Sequence, residues 1–187
     1  MTFRKVTAAE IDRAYAIYLE TFAWLKAKGV RQWLCALPVE TFVERAEGGE
    51  LFGLFTGLRL AAIVTLVCEA DTDWKEVLGD HQCWWIKSLV VAREFSGREL
   101  GHQVIADCET RIRESGAATA FLDCVDGGFL PGYYTRLGYS VMSRRDITYR
   151  SGNTFPMVLM KKSLPSQSSQ MVPPAGTPPA GQEVRQP

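Results

Sequence analysis

The chain has 187 residues, 47% apolar and 22% charged, which is enough for one domain with a substantial core. Its 21 Lys and Arg balance 21 Asp and Glu, so the basic bias of a general nucleic-acid or anionic-membrane binder is missing and neither partner is expected. No long apolar run follows Arg4 and Lys5, and no segment is long enough to span a bilayer, so the expected location is cytoplasmic.

Residues 3–6 read as a short strand. Thr7 and Glu10 have the spacing of a capping box, and behind them Ile11, Ala14, Tyr15, Tyr18, Leu19, Phe22 and Leu25 recur at helical spacing up to Gly29. A second helix is predicted from Pro38 to Gly48-Gly49. Residues 51–56 and 58–68 are apolar runs joined at Gly57, which predicts a hairpin. Residues 71–80 are polar and read as a loop or short helix, and residues 84–91 as a strand. Leu100, Val104, Cys108 and Ile112 repeat every four residues, so residues 99–115 are predicted helical, with Gly116 as the stop. Residues 119–125 read as a buried strand and 129–137 as a short helix. Residues 139–149 and 155–162 form a final hairpin across Ser151-Gly152-Asn153. This order predicts a mixed α/β domain with helices packed on a central sheet.

Residues 165–187 read PSQSSQMVPPAGTPPAGQEVRQP, with almost no apolar bulk to bury. They are expected to be a disordered tail behind a folded domain of residues 1–164. The five cysteines form no C-x-x-C pair, and His81 and His102 are the only histidines, so no metal site is expected.

The segment with most chemical content is 86–101. A strand ending Leu89-Val90-Val91 runs through Ser96, Gly97 and Arg98 into a helix with Gly101 in its first turn. Free amides at a helix N-terminus, and the helix dipole, favour an anion there. Gly101 allows close approach to backbone, and Arg93 and Arg98 could add charge-assisted contacts to phosphate oxygens. The turn alone fits either an anion site or an ordinary helix start.

Together with a second segment the reading sharpens. Phe95-Ser96-Gly97-Arg98-Glu99-Leu100-Gly101 after Leu89-Val90-Val91 resembles the acetyl-CoA motif Arg/Gln-x-x-Gly-x-Gly/Ala of the GNAT N-acetyltransferase superfamily. Ser96 stands at its Arg/Gln position and Glu99 at its middle Gly. Tyr133-Tyr134-Thr135-Arg136-Leu137-Gly138-Tyr139 resembles the family's Phe/Tyr-Tyr-x-x-Leu-Gly-Phe/Tyr, with Asp126-Gly127-Gly128 where an Asn often precedes it.

The resemblance implies a central mixed, mostly antiparallel sheet flanked by helices and splayed between the fourth and fifth strands. Acetyl-CoA would be the co-substrate. Its pantetheine arm would lie in the split beside Leu89, Val90 and Val91, and its pyrophosphate on Ser96, Gly97, Arg98, Glu99, Leu100, Gly101 and His102. Tyr134 would protonate the departing sulfur, a phenol near pKa ~10 being protonated at neutral pH. The acceptor would be a primary amine of a small molecule or peptide, and family members often form homodimers. Trp33, beside Arg31 and Gln32, falls on the family's acceptor side, where core packing fits it equally well. Glu69, Asp71, Asp123 and Asp126 are all candidate bases, and the sequence does not choose among them. A non-catalytic module that binds acyl-CoA or a partner protein, and a relative that transfers a longer acyl group, remain open readings.

Overall fold

The computed structural model describes residues 1–30, 36–149 and 152–165. Trp33 with Arg31 and Gln32, Ser151 of the last turn, and all but the first residue of the expected tail lie outside them.

Strand β1 (Thr2–Lys5) leads through a short 3-10 turn (Ala8–Glu10) into helix α1 (Ile11–Ala27) and then α2 (Val39–Glu47). Strands β2 (Leu51–Thr56) and β3 (Arg59–Glu69), the single-turn helix α3 (Lys75–Leu78) and β4 (Cys83–Val91) follow. Helix α4 (Leu100–Glu114), strand β5 (Thr119–Val125), helix α5 (Leu130–Arg136), and strands β6 (Ser140–Thr148) and β7 (Thr154–Ser163) complete the domain. Among the described residues no helix is long and apolar enough to cross a membrane.

The predicted capping box forms. The Thr7 backbone N–H and hydroxyl donate to the Glu10 carboxylate at 2.9 and 2.8 Å, and Arg4 donates to both its oxygens at 2.9 and 2.6 Å. Arg4, supported by Thr7 and opposed by burial, lowers the Glu10 pKa to about 2. Behind this start α1 buries Ile11, Ala14, Ile17, Tyr18 and Leu25 against the sheet, a stripe at helical spacing.

The seven strands form one sheet in the order β1-β2-β3-β4-β5-β7-β6. Every neighbouring pair is antiparallel except β4 with β5. The mixed, mostly antiparallel sheet expected from the resemblance is therefore present. Helices α1 and α4 pack on β3 and β4. The main core joins them through residues such as Ile17, Ile63, Val104 and Leu122, and a smaller cluster gathers around Trp74, Trp85, Met157 and Leu159.

Two irregularities in β4 position the site. The β3–β4 register steps from Ile63↔Val90 to Thr65↔Lys87, so Val64 faces both Ser88 and Leu89, and Ser88 has φ 52°. This is a bulge, which bends a strand and increases its twist. On the other side β4 pairs with β5 only at Trp84↔Ala120 and Trp85↔Phe121. Beyond Trp85 the parallel strands diverge, which is the expected split.

Candidate active site

The split opens into one cleft of about 900 Å³. Leu89, Val90 and Val91, the run from Ser96 to His102, and Tyr134 all border it. Val90 and Leu100 are buried members of the main core, so they offer a ligand mainly backbone.

The cradle is set by the turn between β4 and α4. Ala92 N–H bonds Ala61 O at 2.9 Å, Phe95 N–H bonds Ala92 O at 2.8 Å, and the buried Phe95 ring anchors the turn. Gly97 at φ 76° and Glu99 at φ 55° then reverse the chain into α4. Glu99 stands where the resembled motif carries glycine, and its left-handed conformation explains that glycine. It also explains why the helix begins at Leu100 rather than at Glu99. The Glu99 carbonyl accepts from His102 N–H at 2.9 Å and Gln103 N–H at 3.4 Å. The amides of residues 97–101 precede the helical bonding pattern and find no backbone acceptor among the described residues. Such a fan of donors at a helix N-terminus suits a diphosphate.

Several side chains here differ from the simplest phosphate reading. The Ser96 hydroxyl donates to Arg93 O at 2.8 Å and so closes its own turn. Arg93 lies 4.0 Å over the Trp24 ring and Arg98 5.5 Å from the Phe95 ring centre. At Gly101 the close approach is made by Tyr133: a Cβ there would stand 2.5 Å from the Tyr133 hydroxyl oxygen. His102 is half-buried, with its ring centre 5.3 Å from that of Tyr133.

Tyr134 is half-buried and borders the cleft, and the following residues hold it there. Its carbonyl accepts from Leu137 N–H at 3.0 Å and Tyr139 N–H at 3.1 Å, a closure that needs the left-handed Gly138 at φ 89°. Buried Tyr139 then meets the Tyr134 ring edge-on at 6.2 Å. Leu137-Gly138-Tyr139 is thus a helix stop that fixes a tyrosine. Burial raises the Tyr134 pKa above the ordinary phenol value, and Cys124, Tyr133 and Asp123 add to the rise.

The far end of the cleft is acidic. Lys87, which borders it, donates to Glu69 and to Asp71 at 2.7 Å each, and Arg45 joins Glu69 at 3.1 Å and Glu50 at 2.6 Å. Burial alone would lower the Lys87 pKa and raise that of Glu69, but the ion pairs outweigh burial and shift both the other way. Asp123 also borders the cleft and accepts from the Trp74 indole N–H at 3.0 Å. Burial raises the Asp123 pKa against the opposing Trp74 bond and Lys87, with Asp71 and Asp73 adding to the rise. Burial and the same three carboxyl groups push Tyr149 up to about 12.

This geometry separates the four candidate carboxylates. Asp71 and Asp123 border the cleft. Glu69 is held between Lys87 and Arg45, and Asp126 pairs with Arg144 at 3.0 Å. Burial raises the Cys124 thiol to about 12, which fits packing and not a nucleophile. Sequence reasoning missed Asp73, Trp74, Lys87 and Tyr149. Lys87 gave one signal: a lysine inside an apolar strand usually has a carboxylate partner.

The sequence matches the Acetyltransferase (GNAT) family over residues 6–139. The chain belongs to this family. It is therefore an acyltransferase with the GNAT fold. A GNAT-family acetyltransferase from Listeria monocytogenes superposes with TM-score 0.71 at 24% identity, covering 87% of this chain and 94% of that one. The ribosomal-protein-S18-alanine N-acetyltransferase of Escherichia coli gives 0.63 at 15% identity, covering 91% and 97%. The yncA structure from Salmonella typhimurium with its cofactor acetyl-CoA gives 0.63 at 14%, covering 94% and 99%. At these identities the likeness concerns the fold. A comparison with curated proteins finds no matching sequence.

Proposed function

We propose that the protein transfers an acetyl group from acetyl-CoA directly to a primary amine of a small molecule or peptide. One observation carries the reading: a single cleft is bordered by the amide fan of residues 97–101, by Tyr134 and by the half-buried Asp123. The donor set fits the ligand. The amides and the α4 dipole suit a pyrophosphate, and the free edge of β4 suits an amide-bearing arm added as a strand.

Bound acetyl-CoA supplies the thioester. The chain's own groups manage two protons. An alkylammonium acceptor must lose one before its nitrogen can attack. Asp123 is suited to receive it, directly or through water, because its raised pKa makes it a stronger base than an exposed carboxylate. As the C–N bond forms and the C–S bond breaks, Tyr134 donates its phenolic proton to the departing sulfur. Its raised pKa keeps it protonated at neutral pH. Holding amine and thioester in contact contributes much of the remaining rate.

Calorimetric titration with acetyl-CoA, followed by an amine panel with thiol-release detection, tests the reading. No binding at high micromolar acetyl-CoA would sink it. Tyr134→Phe should lower kcat by roughly ten- to a thousandfold with little change in acetyl-CoA affinity. An unchanged kcat would assign the proton to another group. Asp123→Asn should remove the acidic limb of the kcat/KM profile.

A further inference from the structure

Asp123 lies in β5, but the donor to its side chain, the Trp74 indole, comes from a segment with no family motif. Trp74 is fully buried in the smaller core cluster, between β3 and α3. Its backbone N–H bonds Asp71 Oδ1 at 3.3 Å, and Asp73 N–H bonds the same oxygen at 2.9 Å. The other Asp71 oxygen pairs with Lys87 at 2.7 Å. Lys87 on β4 therefore fixes Asp71, Asp71 fixes the Trp74 backbone, and the indole reaches Asp123 at 3.0 Å.

The geometry points to Trp74 as a positioning residue for acetyl transfer: through its indole N–H it orients the Asp123 carboxylate toward the acceptor and favours its ionised form. This rests on the reading of Asp123 as the base. An N–H donor favours a carboxylate over the acid, opposing the burial that raises Asp123. The bond also occupies one oxygen and leaves the other for the acceptor's proton. The other groups that act on this neighbourhood are Lys87 from β4, Asp71 and Asp73 ahead of α3, Cys124 beside it in β5, Tyr134 from α5, and Tyr149 after β6. Arg145 from β6 acts on Asp73. Only the Trp74 bond is removed by the test.

The test compares wild type with Trp74→Phe. A second variant carries 3-benzothienylalanine at position 74, which keeps the bicyclic volume and replaces the N–H by sulfur. The acidic limb of the kcat/KM profile should move up by about one pH unit in both, the scale of one hydrogen bond to a carboxylate. A purely structural role would lower the whole profile without moving the limb, and that outcome overturns the proposal. A ¹³C-carboxyl titration of labelled protein, with Asp123 assigned through Asp123→Asn, gives the same shift without an acceptor. An unmoved Asp123 titration in both variants refutes the proposal equally. If Asp123→Asn instead keeps the wild-type limb, the reading of Asp123 as base fails, and the carboxyl titration still decides whether Trp74 tunes Asp123.

Discussion

Glu99→Gly should stabilise the protein and tighten acetyl-CoA binding together. Glu99 is exposed, with φ 55° and ψ 19°, at the entry to α4. A side-chain-bearing residue in that region costs roughly 1–2 kcal/mol. Glycine removes the cost but loses roughly 0.5–1 kcal/mol through its freer unfolded chain. The net gain is about 0.5–1 kcal/mol, or about 1–4 °C in Tm for a domain of this size. The carboxylate also borders the amide fan. Two like charges separated by about 7 Å repel by roughly 0.5 kcal/mol in water. Removing it should tighten acetyl-CoA by about two- to fivefold, and the gain should shrink at high salt. Differential scanning fluorimetry and calorimetry at two ionic strengths read both effects. Glu99→Gln should capture the affinity gain alone, and Glu99→Asn should recover part of the Tm gain, since Asn tolerates this conformation. A Glu99→Gly protein with unchanged or lower Tm would refute the strain argument. An affinity gain insensitive to salt would refute the electrostatic one.

Gly101→Ala should lower Tm in the wild type, because the new Cβ meets the Tyr133 hydroxyl at 2.5 Å. In a Tyr133→Phe background it should be neutral or stabilising by up to about 1 kcal/mol, the helical preference for Ala over Gly, as a double-mutant cycle on Tm would show. Glu10→Gln should cost about 1 kcal/mol near neutral pH. Since folding lowers the Glu10 pKa to about 2, that difference should hold above the unfolded value near 4.5 and vanish as pH falls toward 2, by denaturant titration at several pH values. Lys87→Met should cost about 2–3 kcal/mol by the same method, because it leaves Glu69 and Asp71 short of their shared cation.

Most elements were legible because their patterns are local. The apolar stripe of α1, the four-residue repeat of α4 and the runs of β2, β3 and β5 each carry their own period, and the elements lie within a few residues of the expected bounds. The turns around the cradle and after Tyr134 were legible in Gly97 and Gly138, which have positive φ, whereas the roles assigned there came from the family resemblance. The acidic end was not. Asp123 is one of four equivalent carboxylates in sequence, and its bond from the Trp74 indole, 49 positions away, separates it from Asp126, which pairs with Arg144. Lys87, Asp71 and Trp74 meet through sheet register, which a period cannot supply.

The bulge at Ser88 ties the two kinds of information together. Ser88 is not a glycine, so nothing in the sequence marks its φ of 52°. Yet the bulge lies between Lys87, turned to the carboxylates, and Leu89 to Val91, which border the split. A regular β4 would shift the side-chain alternation by one residue on one side of this point. Either Lys87 would leave Asp71, or the apolar residues beyond would leave the core. The extra residue lets one strand serve both ends of the cleft. Ladder bonds to β5 that are missing beyond Trp85 leave polar groups whose desolvation is costly unless they are paired. The ligand arm proposed above would pair them, and the bulge, the irregularity least visible in the sequence, lies in the stretch of β4 that borders the cleft.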